Sequence, residues 1–224
     1  MNTNLIWEKE TVRKDSQHKN RVILVCTALK TVTSARDVVR LRVATCSSFN
    51  RDGVCFPSVV FYGTDAVDAI RSIDLSKKPR VIIEGFIQTE RKIRDGETKY
   101  FQDIIGLKIS YAKTRIEDAF GVDGLGVAKA LPRNEILLIG EVVNVYRFRN
   151  RQYGITIRAE HHNIYNFPMM ISSRAFDEVN RSIRKGDTVA AVCEVSTYNS
   201  DQNGNTFPTR EQILVKDIQI MDQK

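Results

Sequence analysis

"FPSVVFYGTDAVDAIRSI", Phe56 to Ile73, and "FPMMISSRAFDEVNRSI", Phe167 to Ile183, decide how this chain is read. Both begin with Phe-Pro, run through an apolar segment, turn polar and close on Arg-Ser-Ile. Self-similarity at a fixed spacing means a repeated structural unit, and the copies continue outward on both sides. Upstream, "NRVILVCTALKTV" from Asn20 matches "NEILLIGEVVNVY" from Asn134, each a polar residue followed by a β-branched run that reads as a first strand. "DVVRLRVAT" (Asp37–Thr45) and "YGITIRAEH" (Tyr153–His161) alternate apolar and polar residues, the period of a half-buried strand. The Phe-Pro stretches supply a third strand each, "PSVVFYG" and "PMMISS".

A short helix should follow, with Ala66, Ala69, Ile70 and Ile73 at helical spacing in one copy and Phe176, Val179 and Ile183 in the other. Fourth strands ("PRVIIEGFIQTER", "DTVAAVCEVSTY") lead into Asp-Gly and Asn-Gly turns ("RDGETKY", "QNGNTF"). Fifth strands, "FQDIIGLKISY" and "REQILVKDIQIM", close each unit. Equivalent landmarks such as Asn20 and Asn134, or Phe56 and Phe167, lie about 110 residues apart.

Five strands with a helix between the third and fourth fit the OB-fold, a partly open Greek-key barrel. The expected fold is therefore all-β with one short helix per unit: two tandem five-stranded OB-fold barrels. Residues 1–19 read as a polar N-terminal arm, 20–113 as the first barrel and 134–224 as the second. Between them, residues 114–133 carry three glycines and a proline and read as a linker.

Composition agrees with this division. A chain of 224 residues suits two domains of ordinary size, and 42% hydrophobic with 27% charged residues is usual for a globular protein. Nothing approaches the roughly 18 consecutive apolar residues of a membrane span, so no membrane partner is expected. The N-terminal stretch lacks a basic run followed by an apolar core, the pattern of a secretory signal. Cys26, Cys46, Cys55 and Cys193 show no Cys-x-x-Cys spacing, and the expectation is small buried thiols in a cytoplasmic, nucleoid-associated protein. Of the formal net charge of +7, +6 falls in residues 1–120, and a basic balance favours a polyanionic partner.

Catalytic and metal-binding patterns are absent from the sequence. His161 and His162 are adjacent on a strand and point to opposite faces, and no ligand-type residue sits at chelating distance in sequence. There is no phosphate-cradling glycine loop, and "GVDGLG" (Gly121–Gly126) lies in the linker with no strand before it. The expectation is a binding protein, not an enzyme, with no metal and no cofactor.

At this point the first copy resembles the bacterial single-stranded DNA-binding protein family, through "VILVCTAL", "RLRVATCSSF", "FPSVVFYGTDA", "KKPRVIIEGFIQTE" and "DGETKYFQDIIGLKI". The second copy keeps "ILLIGEV", "IRKGDTVAAV" and the last hairpin. The resemblance implies stacking of bases on Phe49, Phe56 and Tyr62, and in the second copy on Phe167. It places Lys92 where many members carry another aromatic. It also implies pairing of two-barrel chains as homodimers with four OB-folds. The family's short acidic, partner-recruiting tail is absent from an ending that reads "QIMDQK".

The residues make a physical case of their own. Unpaired bases stack on aromatics without regard to sequence, and phosphates draw cations. Arg40 and Arg42 alternate on the second strand, and Arg91, Lys92 and Arg94 lead into the hairpin between strands four and five. Those are the positions from which an OB-fold binds oligonucleotides. In the second copy, "YRFRNRQY" interleaves Tyr146, Phe148 and Tyr153 with Arg147, Arg149 and Arg151, residue types that stack and bind phosphate. The function expected is sequence-tolerant coating of single-stranded DNA in replication, recombination or repair. RNA binding, or a protein-docking scaffold built on the nearly neutral second barrel, would suit the same fold.

Overall fold

The computed structural model describes residues 5–9, 20–94, 97–112, 133–147, 152–161, 163–172, 183–198, 201–202, 205–206 and 210–222. In chain order the strands are β1 (Leu5–Glu8), β2 (Asn20–Ser34), β3 (Val38–Cys46), β4 (Val54–Cys55), β5 (Ser58–Tyr62), β6 (Arg80–Arg94) and β7 (Glu97–Tyr111), with helix α1 (Thr64–Arg71) between β5 and β6. There follow β8 (Arg133–Arg147), β9 (Gln152–His161), β10 (Asn163–Ser172), β11 (Thr188–Tyr198), β12 (Asp201–Gln202), β13 (Asn205–Thr206) and β14 (Arg210–Asp222). The chain divides into two compact units, one centred on Ile23–Gly85 with the strand that resumes at Ile105, the other on the chain from Glu135 onward together with Phe86–Ile104.

In the first unit β3 pairs with β2 on one side and β5 on the other, β5 with β7, β7 with β6, and β6 with β2, so five strands close a ring. Closure removes the exposed sheet edges that would otherwise invite pairing with other chains. β3 shows why its sequence makes a barrel wall. Val39, Leu41 and Val43 are buried, while Arg40, Arg42 and Ala44 between them are only half-buried. Register shifts between Ala28 and Lys30, and again between Thr31 and Thr33, are the bulges by which β2 bends against β3. α1 buries Ala66, Val67 and Ile70, with Ile73 just beyond it; Ala69 is only half-buried, so the apolar stripe runs through Val67.

Residues 1–19 were expected to form only a polar arm, yet Leu5–Glu8 is a strand. It pairs antiparallel with β7, Trp7 opposite Ile109 and Glu8 opposite Lys108. The Trp7 ring meets buried Phe61 edge-on, centroids 5.8 Å apart. Pairing with β7, the Lys9 N–H bond to the Leu107 carbonyl and the Trp7–Phe61 contact together hold this segment on the first unit.

The second unit repeats the ring: β8 pairs with β9, β9 with β10, β10 with β14 in parallel, β14 with β11, and β11 with β8. Its core holds Ile136, Leu138, Val142, Ile155, Ile157, Phe167, Ile171, Val189, Cys193 and Val215. Gln202 pairs with Asn205 across the Asn-Gly step. The helix expected near Phe176 and the linker from 114 lie outside the described residues, apart from Ile183 and Arg133.

Phe86–Ile104, which the repeat pattern assigns to the first copy, groups with the second unit. β6 and β7 have 15 residues each, about 50 Å of extended chain and far more than a small barrel wall requires. Their distal part is held by Gln102 Nε2, which donates to the Pro168 carbonyl at 3.0 Å. None of the four cysteines is in a disulfide, three of them are buried, and burial pushes the Cys26 and Cys193 thiols up, so these two side chains act as packing groups.

Candidate nucleic-acid interface

Strand alternation gives the first unit an outward face. On β5, Ser58, Val59, Val60 and Phe61 are all buried, and Tyr62 at its end, on the side away from Phe61, is 47% exposed. Just upstream, Cys55 is buried and Phe56 is 44% exposed. Arg42 Nη1 donates to the Phe56 carbonyl at 2.6 Å, tying that backbone to the outward side of β3. Opposite Tyr62 stands Val38, opposite Val60 stands Arg40, and opposite Ser58 stands Arg42.

Lys30, on β2, is the residue directly across from Arg42 on its other side, and it is exposed. The sequence reading passed over it, although "ALKT" alternates in phase with "RLR". Two cations facing each other across a strand pair repel, a disadvantage that a shared anion removes.

Phe49 is 43% exposed in the loop that leaves β3. That loop is fixed by its own hydrogen bonds: Ser47 N to the Gly53 carbonyl, Gly53 N to the Asn50 carbonyl, and Asn50 Nδ2 to the Val54 carbonyl. Gly53 has φ +67, the left-handed region that closes the turn. The three aromatics named from the sequence are therefore solvent-facing, and ordinary core packing does not account for them.

Phe167 is different. It is fully buried in the second unit, and its place among the stacking residues is withdrawn. The cause is register. Phe167 lies opposite Ile157 on β9, and in the first unit the residue opposite the matching Leu41 is Val59. Phe167 thus takes the inward place of Val59, three residues beyond the place of Phe56. A strand offset by an odd number turns every side chain to the other face, so two identical Phe-Pro dipeptides end on opposite sides. By the same register Met170 stands where Tyr62 does: Met170 is opposite Gly154 and Tyr62 opposite Val38.

The outward face of the second unit is also electrically different. Arg158, the counterpart of Arg42, is opposite Glu141 and reaches its carboxylate at 4.0 Å, and its Nε donates to Asn166 Oδ1 at 3.4 Å. The matching position in the first unit holds Lys30.

Within "YRFRNRQY", Arg147 lies with its guanidinium carbon 5.9 Å from the centre of the Tyr153 ring. The Tyr146 ring covers Gly154, where an added Cβ would come within 2.0 Å of the ring, and burial raises the Tyr146 phenol above its ordinary range. A glycine is needed there for an aromatic to lie on the strand. Phe148, Arg149 and Arg151 lie outside the described residues, and so do the side chains of Arg91 and Arg94. Lys92 is described: its ammonium is 2.8 Å from a Glu90 carboxylate oxygen and 5.6 Å from the centre of the Phe101 ring.

No protein-family model and no curated protein matches the chain. Solved structures do. A deletion mutant of the single-stranded DNA-binding protein from Thermus aquaticus is 13% identical, with a TM-score of 0.59 over 92% of this chain and 95% of that one. The wild-type form of that protein gives 12% identity and a TM-score of 0.58 over 92% and 94%. This chain has the OB-fold architecture of that protein. At such identity the likeness establishes the fold, which is all-β as the strand pattern implied.

Proposed function

We propose that this protein binds single-stranded DNA without strong sequence preference, as a non-enzymatic coat for exposed strands in replication, recombination or repair. The observation that carries the reading is the outward face of the first unit: Phe56 and Tyr62 stand exposed beside Lys30, Arg40 and Arg42 on adjoining strands. Stacking surfaces and phosphate-binding cations at one sheet face are what an unpaired strand requires. A fold shared with a protein named for binding single-stranded DNA supports it. Phe49 belongs to the same proposed site on the first unit, and Tyr146, Arg147 and the hairpin residues Arg91, Lys92 and Arg94 are proposed contacts on the second. Pairing of chains into a homodimer and a cytoplasmic, nucleoid-associated location belong to the same proposal.

A second reading concerns the second unit alone. Away from the Tyr146–Arg147 hairpin, Arg158 lies beside the Glu141 carboxylate and Phe167 is buried, so among the described residues of that sheet face neither offers a polyanion an open cation or a stacking ring. That face suits a protein partner better than a polyanion.

Salt dependence separates the two. Affinity for oligo-dT should fall linearly on a log–log plot against salt, and Lys30→Ala and Arg40→Ala should each reduce the slope by about 0.7, one phosphate contact on a single strand. Arg158→Ala should leave the slope unchanged. A slope insensitive to Lys30 and Arg40 would remove the first unit's face from the site. Point substitutions are the proper tool, because cutting the chain between the repeats would take Phe86–Ile104 away from the unit to which it belongs.

A further inference from the structure

We propose that Phe101 is an additional base-stacking platform on the β6–β7 hairpin, with Lys92 placed to meet the adjoining phosphate. The inference rests on the single-strand reading and extends it to a residue outside the sequence-derived site. Phe101 is 38% exposed near the start of β7, whereas Ile104, Ile105 and Ile109 farther along that strand are buried. It therefore sits at the margin of the core with much of its ring in water, an unfavourable place for a side chain with no polar group.

Lys92 belongs to the neighbouring strand, and its ammonium lies 5.6 Å from the ring centre. A cation at that distance is drawn to the π-face, which orients both groups. Its other partner is Glu90, two residues away on the same side of β6, at 2.8 Å. Both members of that pair are about half exposed, so the pair is weak and readily exchanged for a phosphate. Among the described residues around the ring, the carboxylates of Glu90 and of Asp103, two residues beyond Phe101, stand against the ammonium of Lys92. Affinity at this point comes from stacking, and the carboxylate of Glu90 tempers the charge contribution.

The roles of ring and cation are therefore separable. Phe101→Ala should weaken oligo-dT binding about fivefold or more with the salt slope unchanged. Glu90→Gln should tighten binding and steepen the slope, because Lys92 then meets phosphate without competition. Phe101→Trp gives a direct signature: oligo-dT should quench the emission this substitution adds, measured against the parent protein with Trp7 alone. Thermal midpoints check folding, and Phe101→Leu, which keeps the apolar bulk, stands in if the alanine variant is unstable. Parent-like affinity of folded Phe101→Ala or Phe101→Leu, with unquenched emission from Phe101→Trp, would overturn the proposal. The parent protein would still bind oligo-dT, and the proposed function would stand. Failure of the parent to bind oligo-dT at all would remove the proposed function and this site together.

Discussion

Phe56→Ala combined with Tyr62→Ala is expected to weaken oligo-dT binding by about 2–5 kcal/mol, two stacking contacts of the usual size. The loss should appear with little change in thermal midpoint, because both rings are more than 40% exposed and neither belongs to the core. The salt slope should also persist, since Lys30 and Arg40 remain. Phe56 carries a further constraint: its carbonyl accepts from Arg42 through the backbone, so alanine removes the ring without breaking that bond. A folded double variant that binds oligo-dT as the parent does would show that these aromatics are exposed for another reason.

Phe167→Ala should have the opposite profile. Its ring is fully buried against the core strands of the second unit, and truncation should lower stability by about 3–5 kcal/mol through lost burial and the cavity left behind. Phe167→Leu refills most of that space and should recover much of the loss. Thermal unfolding measures both. Oligo-dT affinity of the folded Phe167→Leu variant should match the parent; a large drop in affinity without loss of stability would return Phe167 to the binding site.

The contrast between Phe56 and Phe167 marks what was legible in the sequence. Strand order, the helix after the third strand of the first copy and the closure of two barrels follow from period-two patterning and the turn dipeptides, which act locally. Register does not. "FPSVV" and "FPMMI" look equivalent along the chain, but each strand's pairing partner sets the face to which it turns, and the offset of three residues is fixed by β9 and not by the dipeptide. Lys30 was missed for a related reason, since facing cations are a property of two strands and a single strand's pattern does not show them. Phe101 leaves no signal in the pattern of a single strand, because the ring beside Lys92 comes from the next one. The strand at Leu5–Glu8 is too short to show a period, and its pairing with β7 and the Trp7–Phe61 contact are tertiary.

The sequence-level assignment of "TERKIR" to the first barrel also met a tertiary override. A hairpin of two 15-residue strands is long enough for its base and its far end to belong to different units, and Gln102 anchors the far end to Pro168. A boundary drawn at the linker alone cannot show this.

Competition binding tests the central claim most directly. Labelled oligo-dT bound to the full chain is challenged with unlabelled oligo-dT, oligo-rU or duplex DNA at low and moderate salt. Open aromatic faces beside cations predict displacement by oligo-dT at the lowest concentration, with duplex far weaker because its bases are already stacked. Duplex competing as well as oligo-dT, or no binding of oligo-dT at either salt concentration, would contradict the account.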